Sequence, residues 1–238
     1  VHANTFDSTS RTQATTFLNF NNCTNYGAQL LLSTPGAACS SEAVGKTSGA
    51  VGLLYSAALA ANLGPPGTGP YDTDFFDARR LDGDEVKQLL LTTVDDIHDP
   101  ATATDPTRYP TRVGWEMRFG YGRTNVRNAV DAIFDGRIPP IVEISAPKWF
   151  QVLLPEKAAS IAVEGTIRYR SALYASYDYV VEWAPGIEPD DADFAALAQG
   201  TNETQDIVGT LATWDISALD IDNGPQPEPD VDVNRKMV

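Results

Sequence analysis

Residues 33–63 read STPGAACSSEAVGKTSGAVGLLYSAALAANL. A Pro-Gly turn leads to a serine pair, Ser40-Ser41, and then to a long run of small and apolar side chains. Such a run is apolar on nearly every side and predicts a helix over residues 41–62, buried within a larger body. The serines at its head admit two readings. Serine at a helix N-cap accepts a hydrogen bond from a first-turn N–H, worth about 0.5–2 kcal/mol. The same place suits a nucleophile, because helix-terminal N–H groups stabilise a developing oxyanion by about 3–4 kcal/mol per well-placed donor. Spacing alone does not separate the two.

Upstream, TFLNFNNCTNYGAQLLLSTPG reads as one or two strands ending in the turn at Pro35-Gly36. Downstream, the Gly-, Pro- and Asp-rich connection from Gly64 to Asp82 reads as a surface loop. Asp72, Asp74, Asp77, Asp82 and Asp84 offer the hard oxygens that calcium prefers, but their spacing is not that of an EF-hand loop, and no cofactor is assigned. GDEVKQLLLTTVDDI is amphipathic, with Asp84 and Glu85 in the first turn, where the helix dipole favours negative charge. NVRNAVDAIFDG reads as a third helix with Gly136 at its C-terminal end.

The pattern changes at DGRIPPIVEIS. Pro139-Pro140 punctuates the chain, and apolar alternation follows. IVEISAP, WFQVLLP, SIAVEGTIRY, YDYVVEWAPG and GTLATWDIS read as short strands bounded by Pro and Gly. They predict an all-β sandwich of immunoglobulin or fibronectin type over residues 139–222, with Trp149, Trp183 and Trp214 filling its core. DDADFAALAQG reads as one helical excursion. Residues 223–238, Pro-rich and acidic, read as a linker or tail.

The net charge of −15 is uneven. Residues 1–139 hold 15 acidic and 11 basic side chains, and residues 140–238 hold 17 and 6. Such a surface repels a phosphate backbone, which argues against a nucleic-acid partner. No run approaches 18 consecutive apolar residues, so no membrane span is expected. The first ten residues, VHANTFDSTS, lack the basic and apolar regions of a signal peptide, as those of a mature, processed or excised chain would. Cys23 and Cys39, the two cysteines, fit no zinc or redox spacing; a disulfide and two buried thiols both remain open. Asn22-Cys23-Thr24 and Asn202-Glu203-Thr204 match the glycosylation acceptor pattern.

Four segments, in order over residues 20–134, resemble the subtilisin-like serine proteases. Their nucleophile signature is Gly-Thr-Ser-x-Ala-x-Pro-x-x-Ala-Gly. Cys39-Ser40-Ser41-Glu42-Ala43-Val44-Gly45-Lys46-Thr47-Ser48-Gly49 matches it at Ser41, Ala43 and Gly49, with Ser40 standing in for threonine. TNYGAQLLLSTPG is similar to the family's Ser-Asn-Tyr-Gly strand, which ends in Ala-Pro-Gly. EVKQLLLTTVDD is similar to its helix ending in Thr-Ala-Asp, and FGYGRTNVRNAVDAI to its closing Gly-x-Gly-x-x-Asn-x-x-x-Ala-Val helix. The chain departs from the pattern at Cys39 (glycine in the family), at Gly45 (proline) and at Lys46. Ser48 also has a nucleophile-like setting in KTSGA, but its place inside the helix removes it from reach.

The resemblance implies an α/β body over residues 1–138, the C-terminal portion of a subtilisin-like catalytic domain, followed by the sandwich as an accessory module. It implies a secreted serine endopeptidase acting on peptide or protein substrates, with Ser41 as nucleophile and its own backbone N–H as one oxyanion donor. The partnering His and Asp precede the serine by a long way in that family. His2 and Asp7 sit in no matching motif, and His98 in DDIHDP reads as a helix C-terminal residue favoured by the dipole. The missing half of the catalytic domain is therefore an expected partner, and the isolated chain is expected to be inactive. Two further classes stand beside this one: a catalytically dead binding scaffold on the same fold, and an adhesive or carbohydrate-binding β-module.

Overall fold

The computed structural model describes residues 27–35, 40–61, 63, 81–98, 111–149, 151–186, 189–217 and 219. These contain three α-helices and five strands in antiparallel sheets. They divide into two compact units that meet in sequence at Pro139-Pro140.

The N-terminal unit carries the helices. α1 spans Ser40–Ala61, one residue earlier at each end than the sequence pattern suggests. Three glycines, 45, 49 and 52, weaken it by about 1 kcal/mol each relative to alanine. Burial on one face offsets that cost. Ala50, Leu54, Ala57 and Ala58, at helical spacing, are buried, and α1 packs on α3. Val44, Leu53 and Leu59, spread around the rest of the helix, are exposed, so the expectation of burial on every side holds for one face only.

α2 is Gly83–Thr92 and begins with a reciprocal cap. The Asp82 carboxylate accepts the Asp84 N–H at 2.8 Å, and the buried Glu85 carboxylate accepts the Asp82 N–H at 2.7 Å. Leu81 and Val86, buried on either side of this cap, occupy the positions of a hydrophobic staple. The helix stops well short of Ile97, where the sequence pattern runs to. Thr92 and Thr93 turn their hydroxyls onto the carbonyls of Gln88 and Leu89, and Asp95 pairs with another segment.

α3 is Val126–Phe134. Asn125 caps it by accepting the Asn128 N–H at 3.0 Å. At the other end Gly136, at φ 70°, donates to Ile133 while Arg137 donates to Ala132. Both ends are thus as the sequence predicts. The strand expected before α1 is not formed in its described part: residues 27–35 contribute a single bridge, Ser33 with Arg123.

The C-terminal unit holds β1 (Ile141–Ala146), β2 (Ser160–Arg168), β3 (Tyr177–Trp183), β4 (Ala195–Glu203) and β5 (Ile207–Asp215). One sheet runs β1-β2-β5 and the other β3-β4, all antiparallel. Val163 and Ile167 of β2, Tyr177 and Val181 of β3, and Leu211, Ala212 and Trp214 of β5 belong to one buried cluster, so the two sheets share a core. Trp183 and Trp214 meet at 4.9 Å between ring centroids, and Tyr169 and Tyr177 at the same distance. Such pairs add about 0.5–1.5 kcal/mol beyond their buried area. Trp149 lies outside this cluster, contrary to the sequence reading.

Two segments correct the sequence reading. The described residues of WFQVLLP form no strand; residues 151–154 are irregular, with Val152 exposed. DDADFAALAQG forms one 3-10 turn, Asp191–Asp193, and then enters β4 rather than a helix. Pairing with β3 and packing of Leu197 and Ala198 on the shared core override the helical preference of Ala, Leu and Gln.

Candidate functional site

Ser41 is the second residue of α1 and is exposed. The cap is therefore not its place: it lies inside the first turn, among the N–H groups that have no partner within the helix. Among the described residues none is hydrogen-bonded to its side chain. Ser48 is exposed on the same helix, two turns further on. His98 lies six residues beyond the end of α2, so it is not the helix C-terminal residue that the sequence pattern suggests. Its Nδ1 atom is buried with no hydrogen-bond partner among the described residues. His2, Asp7, Cys23, Cys39, Asp72, Asp74 and Asp77 lie outside the described residues.

The segment leading into α1 is fixed by residues that the sequence reading did not single out. Thr34 is buried, with its hydroxyl 3.1 Å from that of Thr47 and 2.9 Å from that of Thr124. Thr47 donates to the Ala43 carbonyl at 2.9 Å, and Thr124 to the Ser33 carbonyl at 3.0 Å. With those two protons committed, Thr34 donates to only one neighbour at a time. Lys46 sets its ammonium 2.6 Å from Glu42 and 3.1 Å from the Pro35 carbonyl.

Residues 119–125 form the hub of this arrangement. On one side, the Ser33 N–H donates to Gly122 and the Thr124 N–H to Ser33, both at 2.9 Å. On the other, Asp95 and Arg123 exchange both backbone hydrogen bonds at 2.8 Å. The Asp95 carboxylate accepts from the Arg123 guanidinium at 3.0 Å and from the Asn125 amide at 2.8 Å. One carboxylate therefore fixes both the bridge and the cap of α3. Two glycines make this approach feasible. A Cβ on Gly120 (φ 65°) would lie 2.4 Å from the Leu31 backbone, and one on Gly122 (φ 140°) 2.3 Å from the Asp95 carbonyl oxygen. The sequence signal for this hub was the Gly-Tyr-Gly-Arg-Thr-Asn run; nothing local marked Thr34, Thr47 or Asp95 as its partners.

Near the other end of α1, Tyr55 stands beside the N-terminus of α2, where a Cβ on Gly83 would come within 3.8 Å of its hydroxyl. Burial, and then the carboxylates of Asp82, Glu85 and Asp84, push its hydroxyl pKa up. Among the described residues no cluster of three His, Cys, Asp or Glu side chains could hold a metal ion. No described helix is long and apolar enough to cross a membrane.

Chemically, the arrangement presents a hydroxyl on the first turn of a helix whose approach segment is held by a hydroxyl relay and an ion pair. Free first-turn N–H groups and an exposed serine hydroxyl lie together at this helix head. No protein family model matches the chain, and neither a curated protein nor a solved structure resembles it significantly.

Proposed function

We propose that this chain is part of a secreted serine endopeptidase of subtilisin type, in which Ser41 forms the acyl-enzyme. One observation carries the reading. Ser33-Thr34, Asp95 and Gly122–Asn125 come from three of the segments that resemble the family, and they are hydrogen-bonded to one another at the approach to α1. Segments that matched independently in sequence thus belong to one structural unit. In the reaction, Ser41 Oγ would attack the scissile carbonyl, while first-turn N–H groups would stabilise the oxyanion. A histidine, oriented by an aspartate, would take the hydroxyl proton and return it to the leaving amine. Both are assigned to a segment preceding this chain. The C-terminal unit would act as an accessory sandwich module, and no cofactor is required.

The alternative, a catalytically dead scaffold, draws on the departures from the family's pattern at Cys39, Gly45 and Lys46. Fluorophosphonate labelling of the protein expressed with its upstream coding region separates the two. An adduct mapped to Ser41 and lost in Ser41→Ala is the expected outcome. A well-folded protein that takes no label would make the chain a scaffold.

A further inference from the structure

Gly45 lies in the second turn of α1, where a Cβ would meet nothing within 4 Å among the described residues. A glycine so close to the helix start loosens the turn that carries Ser41. The two residues that follow it do the opposite. Lys46 brings a positive charge toward the N-terminal end of a helix, which the dipole opposes. Its ammonium meets two acceptors there: the Glu42 carboxylate inside the first turn and the Pro35 carbonyl outside the helix. Thr47 repeats the pattern, with one contact to the Ala43 carbonyl inside the helix and one to the Thr34 hydroxyl outside it. Thr34 and Pro35 are consecutive, and Ser33 beside them is anchored to Gly122 and Thr124. Two adjacent side chains therefore each hold one group of the first turn and one group of the approach segment.

We infer that Lys46 and Thr47 are positioning residues, stapling the first turn of α1 to Thr34-Pro35 so that the glycine at 45 does not let Ser41 wander. The role assigned to Ser41 rests on the reading above; the staple itself does not. The two are tested separately. Hydrogen exchange on the 238-residue chain reads the staple. In Thr47→Val the amides of Val44 to Ser48 exchange about tenfold faster, the signature of a local opening made easier by one good hydrogen bond. In Lys46→Met they exchange a few-fold faster, since an exposed pair contributes less. Amides of α3 and β2 keep their protection in both variants. Thr47→Ser, which retains the hydroxyl, restores the slow rates, and Gly45→Ala reduces the effect of Lys46→Met. Unchanged exchange in the first turns, or a uniform loss of protection across α1 and α3, overturns the staple.

Fluorophosphonate labelling rates of the same variants in the longer protein then read the positioning. The rate falls in Thr47→Val and Lys46→Met and recovers in Thr47→Ser. A wild-type protein that takes no label, while exchange responds as above, overturns the role of Ser41 and leaves a staple on a scaffold helix. A labelling rate that ignores the variants, while exchange responds, overturns the positioning role alone.

Discussion

The two units hold themselves together in different ways. The C-terminal unit is a continuous ladder: β2 pairs along most of its length with β5 and along much of it with β1, and aromatic pairs fill the core that the sheets share. The N-terminal unit has no strand among its described residues; three helices are joined by isolated bridges and a few side chains reaching across long sequence separations. In the ladder, loss of one contact is shared among many neighbours. In the hub at residues 119–125, a few residues carry the whole junction: Ser33, Asp95, Arg123 and Thr124 each make several of its hydrogen bonds. Sensitivity to substitution should therefore concentrate at a few positions in the first unit and spread over the core of the second.

The sharpest way to break that comparison is Gly122→Ala. The added Cβ meets the Asp95 carbonyl at 2.3 Å on a backbone at φ 140°, so the bridge must open. A loss of about 4 kcal/mol or more is expected, seen as collapse of the N-terminal unit's exchange protection while β2 and β5 stay protected. Simultaneous loss in both units would refute the contrast. Next comes Asp95→Ala, which takes the carboxylate from Arg123 and Asn125 together. About 2–3 kcal/mol of destabilisation is expected from urea titration, with Asp95→Asn intermediate. A value below about 0.5 kcal/mol, typical of a surface change, would show that the hub has reserve after all.

The smallest effect belongs to the second unit. Tyr177 is buried against Tyr169, and its hydroxyl donates to the Gln205 carbonyl at 2.8 Å. Burial first, and then Glu203 and Asp206, push its pKa up from 10.0 to about 12. The fold favours the neutral phenol, so its contribution is complete below pH 10 and is lost as the pH rises from about 10 through about 12. The denaturant midpoint of the C-terminal unit should fall across that window, and Tyr177→Phe should flatten the fall. An unaltered slope in Tyr177→Phe would place the alkaline sensitivity elsewhere.

The parts of this molecule that were legible in sequence are those whose causes are local. Asp84 with Glu85 announced the start of α2, Asn125 the start of α3, and Gly136 its end. Alternation in SIAVEGTIRY and YDYVVEW marked β2 and β3. The failures were also physical. AALAQG has helical preferences, and only its partner β3 makes it a strand. WFQVLLP has the apolar density of a strand but no neighbour to pair with among the described residues. At the candidate site, Ser41 at the helix head was readable, whereas the Thr34–Thr47–Thr124 relay was not. Those hydroxyls are up to 90 residues apart, and no local spacing encodes such a meeting.

That separation also orders events in time. Ser33 and Thr34 find their partners 89 to 91 residues further along the chain. A chain made from its N-terminus, at about 5–20 residues per second, releases α1 on the order of 3–13 s before Gly122 and Thr124 exist. Through that interval the helix has neither its hub nor α3 to pack on. Closing a loop of this length is slow compared with forming a helix. The head of α1, where Ser41 sits, is thus among the last places in its unit to become fixed during biosynthesis, and a ribosome-bound chain ending before residue 119 would carry the serine without the frame that holds it.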